Sequence, residues 1–369
     1  MYRGKTSPSR VIMLVDLDYF FAQCEEVRNP SLKDKPVVVC VYSGRSRDSG
    51  AVSTANYVAR KYGVKSGIPI SLAKRRLADT DAVFLPVDHE FYGEVSRKIM
   101  GVLRGYADRF EQVGIDEAYL DVSRRVEGNF DKAEELAGKI KEDVKAQQGL
   151  TCSVGVGPNK LVAKIAADSQ KPSGLTIVKP EEAQSFLSPM PVNRLIGVGG
   201  KTAERMRASG INTIGDLAGY DVQRLIEVFG RKLGVYFHNA SHGVDDEPVQ
   251  EQGEAESISR ISTLKEDTRD LEVILREADR LCEEVYTELL RGRLRFRQVG
   301  IIAVMKDMSV HSRSETFENT TDKVELLKKA VKQLFRELLE DSNLDLRRVG
   351  VKVSYLTKEH ISQRKLTNF

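Results

Sequence analysis

Two short acidic clusters sit where chemistry is possible. Asp16 and Asp18 follow the apolar run Val11-Ile12-Met13-Leu14-Val15, and Asp116-Glu117 falls between two further strand-like stretches, residues 110–115 and 118–122. Acids brought together at strand ends suit phosphoryl transfer, which uses two divalent ions about 3.5–4 Å apart, one activating the attacking hydroxyl and one holding the leaving phosphates. Mg2+ takes a few carboxylates and completes its shell with waters and substrate phosphates, which such a cluster allows. The two clusters meet only if their strands are neighbours in one sheet. A single acid at a strand end is more often a turn residue, and Asp18 or Asp121 alone reads that way.

The elements that must position these acids are legible from periodicity. Residues 11–15 read as a buried strand ending at Asp16, and residues 37–41 as a second one opened by Lys35-Pro36. Residues 19–26 take helical character and halt at Asn29-Pro30, a loop rich in Ser, Gly and Arg covers 43–50, and 54–62 looks helical up to Gly63. Helices over 94–106 and 131–145 alternate with strands at 110–115, 118–122 and 151–156. That alternation predicts a ferredoxin-like α+β layer with helices on one face of its sheet. Residues 180–242 read as short helices punctuated by glycine. Residues 243–256 carry Asp245, Asp246, Glu247, Glu251, Glu254 and Glu256 with no Lys or Arg, the pattern of a solvated linker. Beyond it, period-2 strands and amphipathic helices near 271–290 and 323–339 make a second small α+β domain.

The totals bound the class. A chain of 369 residues, 41% hydrophobic and 30% charged, is long enough for two to four modules and is neither fibrous nor largely disordered. Its net charge is only +3, so any nucleic-acid surface must come from local placement of cations. The four cysteines and five histidines are scattered without zinc-ligand or disulfide spacing. Reduced cysteines, no signal-peptide core and no run of membrane-spanning length point to a cytoplasmic protein.

Four segments, in order, resemble the Y-family DNA polymerases, above all the archaeal members of the DinB branch. They are Val15-Asp16-Leu17-Asp18-Tyr19-Phe20-Phe21-Ala22-Gln23, Ala55-Asn56-Tyr57-Val58-Ala59-Arg60, Gly114-Ile115-Asp116-Glu117-Ala118-Tyr119-Leu120-Asp121, and Ser153-Val154-Gly155-Val156-Gly157-Pro158-Asn159-Lys160 through Lys171-Pro172-Ser173-Gly174. The resemblance implies an α+β multidomain right-hand polymerase. Its palm would span residues 1–19 and 86–178, small fingers 20–85, a helical thumb 179–242, the acidic linker 243–256, a little finger 257–358 and a tail 359–369. It implies low-fidelity, template-directed addition of deoxynucleotides to a primer 3′-hydroxyl, past damaged bases, with primer-template DNA and deoxynucleoside triphosphates as partners of a monomeric enzyme. Two other classes stand as alternatives: a palm-type nucleotidyl cyclase, and a non-catalytic, clamp-recruited DNA-binding scaffold.

Residue by residue, the resemblance gives two Mg2+ ions to Asp16, Asp116, Glu117 and the Leu17 carbonyl. The triphosphate falls to Tyr57, Arg60 and Lys171, with Thr54 and the backbone N–H groups of Phe20 and Phe21 in support. A guanidinium fork, an ammonium and a phenol all suit phosphate oxygens, and a helix start receives anions. Phe21 matches the sugar gate, whose ring excludes a 2′-hydroxyl. Ser43-Gly44 and Ser49-Gly50-Ala51 match a loose roof over the nascent base pair.

Leu195-Ile196-Gly197-Val198-Gly199-Gly200-Lys201-Thr202-Ala203 looks like a helix-hairpin-helix, in which Gly197, Gly199 and Lys201 approach a DNA phosphate without reading sequence. Residues 228–233 resemble a degenerate second copy. Alternation in Arg293-Leu294-Arg295-Phe296-Arg297 predicts Arg293, Arg295 and Arg297 on one strand face as a phosphate track, which Arg260, Arg313, Arg347 and Lys352 would extend. At the C-terminus, Gln363, Leu366 and Phe369 resemble a sliding-clamp (PCNA-like) binding peptide that lacks its second aromatic.

Overall fold

An uninterrupted apolar run such as residues 11–15 makes sense when both faces of its strand are covered, and this is what the computed structural model shows. The structure describes residues 9–251, 253 and 255–358. The chain divides into two compact units, one of Met1–Val39, Ser53–Ser66 and Arg76–Gln252, the other of Cys40–Val52, Gly67–Arg75 and Gly253–Phe369.

The first half of the chain runs β1 (Ile12–Leu17), α1 (Phe20–Arg28), β2 (Val37–Tyr42), β3 (Gly50–Ala55), α2 (Tyr57–Arg60), α3 (Ile70–Arg76), β4 (Val83–Pro86) and α4 (His89–Tyr106). It continues with β5 (Arg109–Gln112), β6 (Glu117–Asp121), α5 (Phe130–Gln148), β7 (Cys152–Gly157), α6 (Lys160–Ser169) and β8 (Leu175–Ile177). The main sheet has the order β5-β6-β1-β7-β8, antiparallel except for β7 and β8. Met13, Val15 and Leu17 join the large core that also takes Tyr92, Ile99 and Leu103 of α4 and Ala133, Ala137 and Ile140 of α5. Ile12 and Leu14 point the other way, onto Ala163 and Ala167 of α6. The expectation of helices on one face is therefore corrected: α6 covers the second face. It comes so close that a Cβ on Gly155 would lie 2.1 Å from the Ala163 carbonyl oxygen, so only glycine fits there.

Asn56 corrects the helix expected over 54–62. Buried, its carboxamide oxygen accepts from Val37 N–H (3.1 Å) and Ala59 N–H (3.0 Å), and its amide donates to Glu26 and the Lys35 carbonyl, both at 2.7 Å. These bonds fix a chain reversal, so Thr54 and Ala55 stay in β3 and the helix is the single turn Tyr57–Arg60. A second, three-stranded sheet has the order β3-β2-β4.

The helical stretch holds α7 (Ala183–Leu187), α8 (Gly200–Ala208), α9 (Ile214–Ala218), α10 (Val222–Phe229) and α11 (Arg231–Ser241) around Leu187, Met206, Leu225 and Phe237. The acidic segment after it is not a solvated linker over 243–251. Arg10 donates to the Asp245 carbonyl (3.3 Å) and the Glu247 carbonyl (2.7 Å), Lys160 pairs with Glu247 at 3.3 Å, and Arg104 pairs with Glu251. Asp245 caps α6 through Leu161 N–H, and Val249 is buried beside Ile12 and Leu14. The acidic run is matched by cations far away in sequence, and becomes a strap along the first unit.

In the second unit, β9 (Ser257–Thr268), α12 (Leu271–Gly292), β10 (Leu294–Met305), β11 (Val310–Thr321), α13 (Val324–Asp341), β12 (Leu346–Ser354) and β13 (Thr357–Lys358) build a sheet of order β11-β10-β12-β9, with β13 beside β10. Val299, Ile301, Ala303 and Val349, Val351, Val353 face the two helices. Also in this unit, Arg45 donates to the Leu264 carbonyl at 2.7 Å and pairs with Asp267, tying the 43–49 loop to β9.

Candidate active site

β1 and β6 are hydrogen-bonded neighbours in which Asp16 stands directly opposite Glu117. The Leu17 N–H donates to the Asp116 carbonyl at 2.8 Å, which lashes the ends of the two acid-bearing segments together. The condition set by the sequence, that the clusters lie on adjacent strands, is met. Burial and the charges of Asp16 and Glu117 push the Asp116 carboxyl up to about 6, the mark of crowded negative charge.

Two lysines answer that charge. Lys164 of α6 lies 3.1 Å from Asp16, pairs with Glu117 and reaches Asp168 at 3.9 Å. Lys171 lies 2.7 Å from Asp16 and 2.8 Å from Asp168. Although burial opposes it, these carboxylates hold both ammonium groups above their ordinary range. Among the described residues, no three His, Cys, Asp or Glu side chains are gathered so that they could hold a metal ion. Asp16 and Glu117 turn toward Lys164 instead. The donor set still fits a hard divalent cation, because Asp16, Asp116, Glu117 and Asp168 face only two ammonium groups.

Sequence reasoning missed Lys164, which on a helix of its own reads as a surface charge. Its signal was the i, i+4 pair Lys164 and Asp168 on a segment between two recognised motifs. Asp18, read as an ordinary turn acid, is a buried positioning residue. It accepts from Thr151 Oγ1 (2.8 Å), Ser153 Oγ (2.7 Å) and Ser173 N–H (2.8 Å), the last holding the turn that carries Lys171. Asp18→Ala strands these donors and is expected to cost about 2–4 kcal/mol of stability, measured by denaturant unfolding of the native and variant chains.

Tyr57 packs edge-on to Tyr19 at 5.4 Å, and the Arg60 guanidinium sits 4.7 Å from its ring while donating to the Ala55 carbonyl. Burial raises the Tyr57 phenol; the charges of Arg60 and Lys171 oppose that, and those of Asp18 and Asp16 add to it. Thr54 is half-buried on the strand leading to them. Phe20 is a core residue and opens α1. Phe21 is half-buried, stacked on Tyr92 with centroids 4.4 Å apart and an interplanar angle of 15°. Tyr92 is fully buried, and its hydroxyl donates to Glu25 at 2.7 Å, so the gate candidate rests on a fixed platform.

In the helical stretch, Gly197 has φ +82° and Gly199 is the N-cap of α8, with Lys201 exposed in its first turn. Gly230, φ +81°, joins α10 directly to α11 and is followed by exposed Arg231 and Lys232, repeating the helix–glycine–helix pattern.

The arginine track of the second unit needs correction. Arg295 and Arg297 flank the buried Phe296, as alternation predicts, but Arg293 lies before the strand, as the left-handed C-cap of α12. Arg260 and Arg313 pair with Glu288 of α12 and Asp341 of α13, on the helix side, because they stand level with Val351 and Ile301. Arg347 sits at a register shift and pairs with Asp267 at 3.7 Å. Over the regular part of the ladder, the open face carries Gln298, Gly300, Ser312, Ser314, Arg348, Lys352 and Ser259, and no carboxylate. Gln363, Leu366 and Phe369 lie outside the described residues.

Residues 15–168 match the impB/mucB/samB family, residues 255–366 match its C-terminal domain, and residues 193–245 match the thumb domain of DNA polymerase iota. The chain is 48% identical to DNA polymerase IV of Nitrosopumilus maritimus over 98% of this chain and 99% of that one. It is 44% identical to DNA polymerase IV of Methanosarcina acetivorans over 95% and 97%. Among solved structures it resembles a Y-family polymerase chimera of Dbh and Dpo4 with a TM-score of 0.89 at 38% identity, covering 95% of this chain and 100% of that chain. DinB from Sulfolobus solfataricus matches with a TM-score of 0.65 at 37% identity, over 93% and 98%. Fold and site thus define a DNA-directed DNA polymerase, which sets aside the cyclase and the scaffold. Within that class the chain belongs to the Y family, as an archaeal DinB-type translesion polymerase acting on primer-template DNA and deoxynucleoside triphosphates. No helix among the described residues is long and apolar enough to cross a membrane.

Proposed function

We propose that this polymerase works with two Mg2+ ions held by Asp16, Asp116, Glu117 and the Leu17 carbonyl. The observation that supports it is the direct pairing of the acid-bearing strands, with Asp16 opposite Glu117 and both answered by lysine. The ions, when bound, would lower the charge cost at the attacking and leaving oxygens. The chain's own residues supply positioning. Tyr57, Arg60 and Lys171 hold the triphosphate, Thr54 adds a hydroxyl, and the Phe20 and Phe21 N–H groups offer donors at the start of α1. Lys171 then exchanges Asp16 and Asp168 for phosphate oxygens. Phe21 screens the sugar.

Gly197, Gly199 and Lys201 grip one DNA phosphate backbone, and the open face of the C-terminal sheet, with Arg295, Arg297, Arg348 and Lys352, grips another stretch. Such contacts set register without reading bases. The tail residues Gln363, Leu366 and Phe369 recruit a sliding clamp, and the enzyme acts in the cytoplasm as a monomer. The division into palm, fingers, thumb and little finger is part of the same reading.

Primer extension with the pure protein, four deoxynucleotides and Mg2+ tests the metal requirement. Extension should proceed through an abasic or adducted template base and stop on chelation, returning when Mg2+ is restored. Extension that continues undiminished in excess chelator would defeat the two-ion reading.

A further inference from the structure

Lys164 occupies a singular electrostatic position. Its ammonium bridges Asp16, on one strand, and Glu117, directly opposite on the next, while Asp168 follows one helical turn later. Only about a quarter of its side chain is exposed, so its interactions are weakly screened. Its helix has little freedom to move away, because Gly155 brings the α6 backbone into contact with β7 and Asn159 and Asp245 both cap the α6 N-terminus. Asp116, the third acid, has no ion pair among the described residues. The same two carboxylates therefore have two claimants, an internal ammonium and an external divalent cation.

We propose that Lys164 is the built-in counter-ion of the metal site: it neutralises Asp16 and Glu117 while no metal is bound, competes with the divalent cation for them, and so sets the affinity of the site. This rests on the two-ion reading of the site. Lysine suits the role, since a compact ammonium on a flexible stem can withdraw along the α6 surface as the carboxylates turn. Asp168, beside both lysines, is the acid that would retain Lys164 after its displacement. An enzyme built this way stays folded without metal and binds the cation only as tightly as the exchange allows, which couples metal entry to the arrival of further ligands such as substrate phosphates.

The test uses Mn2+ as the probe, counted by the paramagnetic resonance of the free ion, with the full chain and no DNA or nucleotide. Lys164→Gln is expected to tighten Mn2+ binding about fivefold to tenfold, by removal of a competing charge at contact distance. Its metal-free melting temperature should fall, and added Mn2+ should raise it more than in the native chain. Lys164→Arg, which keeps the charge, should stay within about twofold of native affinity. Lys164→Met, which keeps the length of the stem, serves the same comparison if the glutamine variant does not fold. Affinity that is unchanged or weaker in the neutral variants overturns the counter-ion role and leaves the metal site standing. Mn2+ binding by the native chain no tighter than by Asp116→Asn overturns the metal site itself, and the inference with it.

Discussion

Asp116→Asn is expected to abolish primer extension and yet to melt at a higher temperature than the native chain when no metal is present. Both effects follow from one carboxylate. On the two-ion reading proposed above, its share in holding a cation at the reacting phosphate would be worth several kcal/mol of transition-state stabilisation, so the single-turnover rate should fall by about a thousandfold or more. In the metal-free protein the same carboxylate is a burden. Its ordinary value of 3.8 rises to about 6 in the fold, first through burial and then through Asp16 and Glu117. A carboxyl whose value rises on folding holds its proton more tightly in the folded chain than in the unfolded one. The ionised form therefore opposes folding: the penalty is absent below about pH 4, grows through pH 6, and is complete at neutral pH. After allowance for partial exposure it amounts to about 1–2 kcal/mol, or about 3 °C in melting temperature. Melting curves of the two chains in chelator should converge near pH 4.5 and separate by pH 7.5. Equal melting at both pH values would show that the charge crowding has no energetic weight.

Phe21→Ala is the second large effect, and it is one of selectivity. The Phe21 ring is stacked on one side against Tyr92, itself fully buried and tied to Glu25, so in the proposed role of sugar gate it would be held in place against a bulkier sugar. A steric filter of one heavy atom is typically worth 1–3 kcal/mol, so ribonucleotide incorporation relative to deoxynucleotide should rise by about one hundredfold. Single-nucleotide kinetics with matched ribo- and deoxynucleoside triphosphates measure this as a ratio of kcat/KM values. Deoxynucleotide addition should change by less than about tenfold, because Phe21 makes no bond to the reacting atoms. An unchanged ratio would remove Phe21 from the sugar pocket. Tyr92→Leu, which softens the platform and leaves the gate ring in place, should shift the same ratio in the same direction by a smaller factor.

Local patterns in the chain were enough for the elements that depend on neighbours in sequence. The apolar run before Asp16, the strands on either side of Asp116-Glu117, and the amphipathic helices α4, α5, α12 and α13 follow from periodicity and from caps such as Asn129 and Gly149. Four ordered motifs were enough for the family, because their residue types and spacing are specific together. Tertiary structure decided which charges meet. Asp16 and Glu117 are a hundred residues apart and become partners only through the β1–β6 register, and Lys164 turns from a surface lysine into their counter-ion because Gly155 lets α6 settle onto the sheet. The acidic run after Gly243 shows the same dependence: alone it repels itself into a solvated coil, but Arg10, Lys160 and Arg104 hold it as a strap. Alternation marked two faces on β9, β10 and β11 but not which of them the helices cover, so Arg260 and Arg313 went to Glu288 and Asp341 instead of the open side. Short-range preference is written in the backbone and side chain of each residue, whereas an ion pair or a buried face exists only once the distant partner has arrived.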